Sequence, residues 1–271
     1  PGLRHRLRSA STAGWELMVI AYTTVLGLLI GSFLTVVVDR VPDGRSIVAP
    51  GSACGNCGLQ LGPKDLVPVF SWLALRGRCR QCRAWIGVEP LVLEIATAAL
   101  FCAFAVHFGL SWDLAAFCVW GAALIGLSWI DLRTKRLPRQ IIHVAALVGV
   151  PLLVIAALVR DEPRRIWMAA LGAGCAFVFM ALVYVVSRGQ MGDGDVRLAP
   201  LLGAYLGYLN PGIVAVGLFL AFLAGALVGL VLMAVGRAGR KTAVPFGPFM
   251  AAGAVAAVWA GQPLIDLWIH R

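Results

Sequence analysis

Met191-Gly192-Asp193-Gly194-Asp195-Val196-Arg197 sets two carboxylates and two glycines directly ahead of a new apolar segment. How that stretch is read decides the fold, because of what surrounds it. The chain has 271 residues, 60% of them hydrophobic and 13% charged. A soluble domain carries about 25% charged residues. Long apolar runs recur on both sides of the stretch, so the composition predicts an all-α polytopic membrane protein and not a large soluble core. In that setting an acid at an apolar segment is expensive and marks a functional site with a partner to be found. The candidate partner is Asp131, which closes Ile125-Gly126-Leu127-Ser128-Trp129-Ile130-Asp131. Two aspartates on the ends of two membrane helices can form an acid/base dyad that shares a proton, since close like charges cannot both ionise cheaply. Asp193 is a second acid in the same motif, and spacing alone does not choose between it and Asp195.

Eight membrane segments are predicted, at about 15–38, 90–108, 112–130, 141–159, 166–186, 196–209, 212–235 and 244–269. The sixth is short and glycine-interrupted. It is expected to be a broken helix, since irregular backbone at membrane depth is tolerated where it is enclosed by protein or lines a cavity. The chain begins at Pro1, so the native start is expected to be missing or trimmed. The apolar run 17–38 exceeds a signal-peptide core of about 7–15 residues and reads as a retained anchor. The expected organisation is an N-terminal extension 1–14, a first transmembrane helix 15–38, a polar loop 39–89, and a seven-helix membrane catalytic region 90–271.

The net charge is +10. The basic residues fall in the short connections between apolar runs, a pattern that orients membrane proteins and argues against nucleic-acid binding. The connections after segments one, three, five and seven hold 7, 4, 2 and 3 lysines and arginines, counting Arg197 in the first turn of segment six with the connection before it, and the rest of the chain holds 7. This bias predicts that the 39–89 loop, Asp131 and Asp195 lie on the cytosolic side. Arg4, Arg6 and Arg8 at the N-terminus pull the other way.

The loop contains Cys54-Gly55-Asn56-Cys57 and Cys79-Arg80-Gln81-Cys82, separated by 21 residues. Two such knuckles can close a tetrahedron of thiolates around Zn²⁺. Four cysteines leave no open position, so the zinc is expected to be structural and to supply folding energy to a loop with little core. Two disulfides are the alternative, which a cytosolic placement disfavours. Cys102, Cys118 and Cys175 lie in apolar segments and read as small hydrophobes.

Most of the other acids read as solvated charges: Asp39, Asp43, Asp65, Glu89, Asp161 and Glu162. Glu16, Asp113 and Asp266 lie at segment ends and read as interfacial. Glu94 lies inside the second segment, where it is expected either to pair with a cytosolic arginine or to line the active site. Gly192 and Gly194 are expected to supply positive φ and close backbone approach. His5 and His270 are terminal, and His107 and His143 sit near segment ends as satisfied interfacial residues. No serine-hydrolase, zincin or P-loop pattern is present.

Several separated motifs resemble bacterial prepilin peptidases (type IV prepilin leader peptidases), a family of GxGD-type intramembrane aspartic proteases. Gly31-Ser32-Phe33-Leu34-Thr35-Val36-Val37-Val38-Asp39-Arg40-Val41-Pro42 is similar to the family's N-terminal signature, with Thr35 where Asn is usual. The paired knuckles, with Ser71-Trp72-Leu73 and Leu75-Arg76-Gly77-Arg78-Cys79 between them, resemble its cysteine loop. Ile130-Asp131 with Leu137-Pro138 resembles the first aspartate motif, with Arg139 where Asp or Asn is usual. The 191–198 stretch resembles the Gly-x-Gly-Asp motif, with Asp195 as the catalytic acid, Asp193 as the variable position, and Arg197 for a usual Lys. Pro245-Phe246-Gly247-Pro248-Phe249 resembles the motif of the last helix. Pro90-Leu91-Val92-Leu93-Glu94 carries one residue more than the family's element.

The resemblance implies an aspartic endopeptidase of the bacterial inner membrane with Asp131 and Asp195 as catalytic residues. Gly192, Asp193, Gly194, Arg197 and Glu94 would position substrate. That substrate would be a prepilin or pseudopilin, cut after a glycine, with its basic leader left in the cytosol. The resemblance also implies N-methylation of the new N-terminus from S-adenosylmethionine. Two other readings fit the acids and the cysteine loop. One is an ion- or proton-coupled transporter with Asp131 and Asp195 as the coupling site. The other is a zinc-anchored scaffold that binds pilus assembly proteins.

Overall fold

The computed structural model describes residues 2–188, 191–236 and 244–269. The readings of Arg4, Arg6, Arg8, His5 and His270 concern side chains outside that description. Nine α-helices are described: α1 (Gly2–Arg40), α2 (Phe70–Leu75), α3 (Glu89–Phe108), α4 (Trp112–Thr134), α5 (Arg139–Val159), α6 (Arg164–Val186), α7 (Asp193–Leu209), α8 (Pro211–Ala234) and α9 (Gly247–Ile269). Extended structure among the described residues is confined to two isolated bridges. Each of the eight predicted segments is a helix, and seven are long and apolar enough to cross a membrane. The chain is therefore an all-α polytopic membrane protein. The segment that falls short is the sixth, α7, with 17 residues.

The chain divides into two compact units, Pro1–Gly126 and Leu127–Arg271. In the first unit α1 lies along α3 at a crossing made of small residues. A Cβ on Gly27 would sit 2.7 Å from Ala98 Cα, and one on Gly31 would sit 2.5 Å from Glu94 Cα. With no hydrophobic force between helices in lipid, such close approach supplies the contact energy. Gly31 of the N-terminal signature is thus a packing residue. Where α1 ends, the Arg40 guanidinium gathers the carbonyls of Ser46 and Pro50 at 3.0 and 2.8 Å and so folds the start of the loop. Phe104 of α3 and Phe117 and Trp120 of α4 form a fully buried aromatic cluster.

In the second unit α7 is the central helix. Eleven of its 17 residues are buried, against three of 23 in α6 and four of 24 in α8. It touches α5, α6, α8 and α9. This explains its length: a helix enclosed by other helices does not have to match the hydrocarbon thickness by itself. The expected break in this segment is absent, and α7 runs unbroken from Asp193 to Leu209. Its glycines serve packing instead. Gly203 and Gly207 meet Gly172 of α6 backbone to backbone, and a Cβ on Gly172 would lie 2.7 Å from Gly207 Cα. Helix α9 packs on α8 in the same way, with Gly253 facing the Ala221 nitrogen and the Gly217 carbonyl.

Candidate active site and metal centre

The Gly-x-Gly-Asp stretch opens α7. Gly192 is the N-cap, and Asp193, Gly194 and Asp195 form the first turn, where the Asp195 N–H donates to the Gly192 carbonyl at 3.2 Å. The first turn of a helix has unpaired N–H groups and the positive end of the macrodipole, so carboxylates are favoured there. Burial separates the two acids. Asp195 is 5% exposed. Asp193 has a side chain 64% exposed and pairs with Arg197 one turn on. The glycines do not take positive φ. Gly192 has φ −66° and ψ 134°, and Gly194 lies in the helix. What Gly194 provides is room: a Cβ there would lie 2.9 Å from Leu137 Cβ.

Asp131 lies three residues before the end of α4 and is also 5% exposed. Its Oδ2 accepts a hydrogen bond from the Gly247 N–H at 2.9 Å. Gly247 is the first residue of α9, so Asp131 caps the N-terminus of a helix far from it in sequence. Both buried aspartates therefore sit at helix N-termini, Asp195 in α7 and Asp131 against α9. The two helix starts that carry these acids meet the same side chain, Leu137, against which a Cβ on Gly194 or on Gly247 would press. Leu137 packs between the two helix starts, since a Cβ on Gly247 would lie 2.7 Å from Asp131 Oδ2 and 3.3 Å from Leu137 Cδ2. The ring of Phe246 fixes the entry to α9 by packing on Phe222 of α8 at 4.9 Å. The sequence by itself gives Gly247 no role in the site. Its run, Pro-Phe-Gly-Pro, signals a helix start, but nothing local signals which carboxylate it meets.

In the first unit the four loop sulfurs gather. The Sγ atoms of Cys54, Cys57, Cys79 and Cys82 all lie within 4.8 Å of one another. Cys54 and Cys82 are 3.7 Å apart, and Cys57 and Cys79 are 3.8 Å apart. A tetrahedron with Zn–S bonds of about 2.3 Å has S···S edges of about 3.8 Å, so these residues fit zinc and are too far apart for disulfides. The two knuckles share one backbone design. The Cys54 N–H donates to the Leu59 carbonyl and the Gly58 N–H to the Cys54 carbonyl. In the second knuckle Cys79 pairs with Ala84, and Arg83 returns to Cys79. Gly58 and Arg83 hold the same left-handed corner, at φ 71° and 58°. Backbone N–H groups of Cys57 and Asn56 lower the Cys54 thiol, and those of Ala84, with the Asn56 side chain, hold Cys82 at about 6. Both shifts favour the thiolates that a metal requires, whereas Cys57, though lowered by the Leu59 N–H, is pushed up to about 11 by lost hydration and the neighbouring thiols, as expected of four close sulfurs. Between the knuckles, Trp72 of α2 stacks edge-on against Trp85 and donates its indole N–H to the Gly87 carbonyl at 2.7 Å.

Glu94 belongs to this loop's support. It is 5% exposed and its Oε2 accepts the Val69 N–H at 2.7 Å, just before α2. Among the described residues its partner is thus a backbone amide of the cysteine loop and not an arginine. Two acids differ from their sequence reading. Asp65 is not a solvated charge: its side chain is 8% exposed, it pairs with Arg80 at 2.6 Å and it accepts the Gly62 N–H. Asp113, read as interfacial, is 2% exposed. Spacing does not report the burial of Asp65, because its partner Arg80 lies 15 residues on.

Two family descriptions match the chain, the Bacterial Peptidase A24 N-terminal domain over residues 25–108 and the Type IV leader peptidase family over residues 115–233. The chain is similar to the prepilin leader peptidase/N-methyltransferase of Bacillus subtilis strain 168, with 32% identity over 246 residues, covering 90% of this chain and 96% of that one. It is 36% identical over 280 residues to the protein of the same name from Burkholderia pseudomallei strain K96243, covering 91% and 87%. With that of Myxococcus xanthus strain DK1622 it shares 40% over 221 residues, covering 80% and 64%. No solved structure matches the chain.

Proposed function

The chain belongs to the type IV leader peptidase family and is a protease of that family, and from that premise we propose that it is an aspartic endopeptidase working through Asp131 and Asp195. The observation that carries this reading is the pairing of two buried carboxylates, each set at a helix N-terminus, in one unit of the molecule. The pair holds one proton between pH extremes, as close acids do. The ionised member takes a proton from water as that water attacks the scissile carbonyl carbon. The protonated member donates to the carbonyl oxygen; the tetrahedral intermediate then returns that proton to the pair and breaks its C–N bond, while the proton taken from water passes to the departing amine. Which aspartate plays which part is a property of the pair.

The substrate is a prepilin, as the relatives' shared name has it for them, or a pseudopilin. Its basic leader stays in the cytosol, and cleavage follows a glycine at the cytosolic face of the bacterial inner membrane. Gly192, Asp193, Gly194 and Arg197 position the chain beside Asp195. The loop 39–89 is a cytosolic module whose Cys54, Cys57, Cys79 and Cys82 hold a structural zinc, and Glu94 ties that module to α3. The catalytic region is the seven-helix segment 90–271. The relatives' shared name also includes N-methyltransferase, and we extend methylation of the new N-terminus from S-adenosylmethionine to this chain on that likeness. The sequence has no nucleotide-binding fingerprint, so no residue is assigned to that donor.

The test is purified full-length protein with a prepilin peptide, read for cleavage, for ion flux after reconstitution, and for binding. Cleavage after glycine that is lost in both Asp131→Asn and Asp195→Asn is the expected result. Ion flux without cleavage would establish the transporter reading, and binding alone the scaffold.

A further inference from the structure

The second unit contains a large groove that neither the dyad nor the metal centre uses. Its volume is about 590 Å³, and α5, α6 and α7 form its walls. Along its length it is lined by apolar residues, among them Val150, Leu153, Ala173 and Phe177. At one end stand Arg139 and His143 of α5 and Arg197 of α7. These belong together: Leu137, just before α5, packs against Gly194 in the first turn of α7. At the other end lie Ile166 and Tyr208. From Arg197 to Tyr208 the groove follows α7 for about 16 Å, at about 1.5 Å per residue.

Its size and charge limit what fits. A membrane-spanning helix about 30 Å long and about 10 Å across fills on the order of 2,500 Å³, several times the volume on offer. A flexible apolar chain fits the space, and a groove at membrane depth is already bathed in such chains. The mouth selects the head of the ligand. Arg197 is engaged by Asp193, but Arg139 has no ion-pair partner among the described residues. Cations at the end of an apolar slot complement a phosphate held at the membrane–water boundary. Arginine offers a planar fork of donors suited to it.

We propose that this groove is a binding site for an anionic membrane phospholipid, with an acyl chain between α5, α6 and α7 and the phosphate on Arg139 and Arg197. The lipid then sits two residues from Asp195, and its phosphate shares Arg197 with Asp193. Membrane composition therefore acts on the turn that holds the catalytic acid.

The experiment uses the full chain, delipidated in detergent and titrated with phosphatidylglycerol or phosphatidylcholine in mixed micelles. Lipid retained per chain is counted by native mass spectrometry. One phosphatidylglycerol is expected to be retained in preference to phosphatidylcholine. Arg139→Gln should lower that preference about fivefold, the effect of one basic group at an anionic surface. Ala173→Trp fills the groove and should abolish retention of both lipids, with unchanged helicity by circular dichroism showing that the protein is folded. Ala173→Leu, a smaller filler, should give an intermediate loss and serves if the tryptophan variant does not fold. Equal retention of the two lipids, or a preference untouched by Arg139→Gln, overturns the proposal. So does undiminished lipid retention in both filled variants with a raised KM for the prepilin peptide, which would assign the groove to the substrate's apolar segment.

Discussion

Burial distinguishes Asp131 and Asp195 from Asp193, and the predictions at the scale of the residue follow from it. Asp131→Asn and Asp195→Asn keep shape and volume but remove the titrating group. General acid–base catalysis is worth about 10²–10⁴-fold, so each variant should lose at least that much turnover while still inserting and folding. Asp193 is exposed and bound to Arg197, and Asp193→Asn should keep most of the activity. Wild-type turnover in either of the first two, or an inactive Asp193→Asn beside them, would count against this assignment. Gly247 is the sharper case. An alanine there places a methyl 2.7 Å from the Asp131 carboxylate while keeping the N–H. Turnover should fall by about tenfold or more with KM little changed, because a small misplacement of a catalytic group costs rate before it costs binding. A shift in KM alone would mean that Gly247 serves substrate binding instead.

Among the helices, the crossing of α6 and α7 makes a prediction whose sign changes within half a turn. In a helix, alanine is favoured over glycine by about 1 kcal/mol. Gly174 of α6 has nothing near its missing Cβ, so Gly174→Ala should be neutral or slightly stabilising. Gly172 faces the backbone of Gly203 and Gly207, where nothing can rotate away. Gly172→Ala should therefore destabilise the second unit, by about 1–3 kcal/mol if it behaves like other overpacked contacts. Thermal unfolding of the two variants in one detergent measures this, and equal midpoints would show that the helices are not held so closely. The knuckles contain a similar pair. Gly58 and Arg83 take the same left-handed corner, which costs a side chain about 1–2 kcal/mol. Arg83→Gly should tighten metal retention against a chelator, and Gly58→Ala should loosen it.

For the molecule as a whole, the sources of stability are separable. The cysteine loop has almost no core, since Trp85 is 59% exposed where it meets Trp72, but it has four thiols placed for a metal. The membrane helices satisfy their backbone internally and need none. Protein purified without chelators should contain about one zinc per chain, measured by elemental analysis. Removing it should unfold the loop while helicity in the membrane segments persists. Acid should act in the same direction. A zinc ligand must be a deprotonated thiolate, so protons compete with the metal and zinc retained per chain should fall as pH is lowered. Metal-free protein carrying disulfides by mass spectrometry would refute the zinc centre.

The eight helices, seven of them long and apolar enough to cross a membrane, and both knuckles were legible in the sequence by itself, for a local reason. A helix closes its hydrogen bonds four residues away, and an apolar run in lipid has no other stable form, so composition and length suffice. Two cysteines at x-x spacing likewise announce a knuckle wherever the chain goes. The sequence also contained all thirteen acids, but only the tertiary structure decided which are buried. Asp131, Asp195, Glu94 and Asp113 are buried, and Asp131 and Glu94 meet backbone N–H groups 116 and 25 residues away, to which spacing has no access. The same holds for the glycines. Those of the sixth segment read as breaks, yet they lie at the crossing with α6, because a missing side chain is a weakness in isolation and a docking surface against a neighbour. Gly247 meets Asp131 across 116 residues, and the α5–α7 groove exists only once three helices are side by side. Local hydrogen bonding and hydrophobicity determine the elements, and non-local packing determines which carboxylates are withdrawn from water.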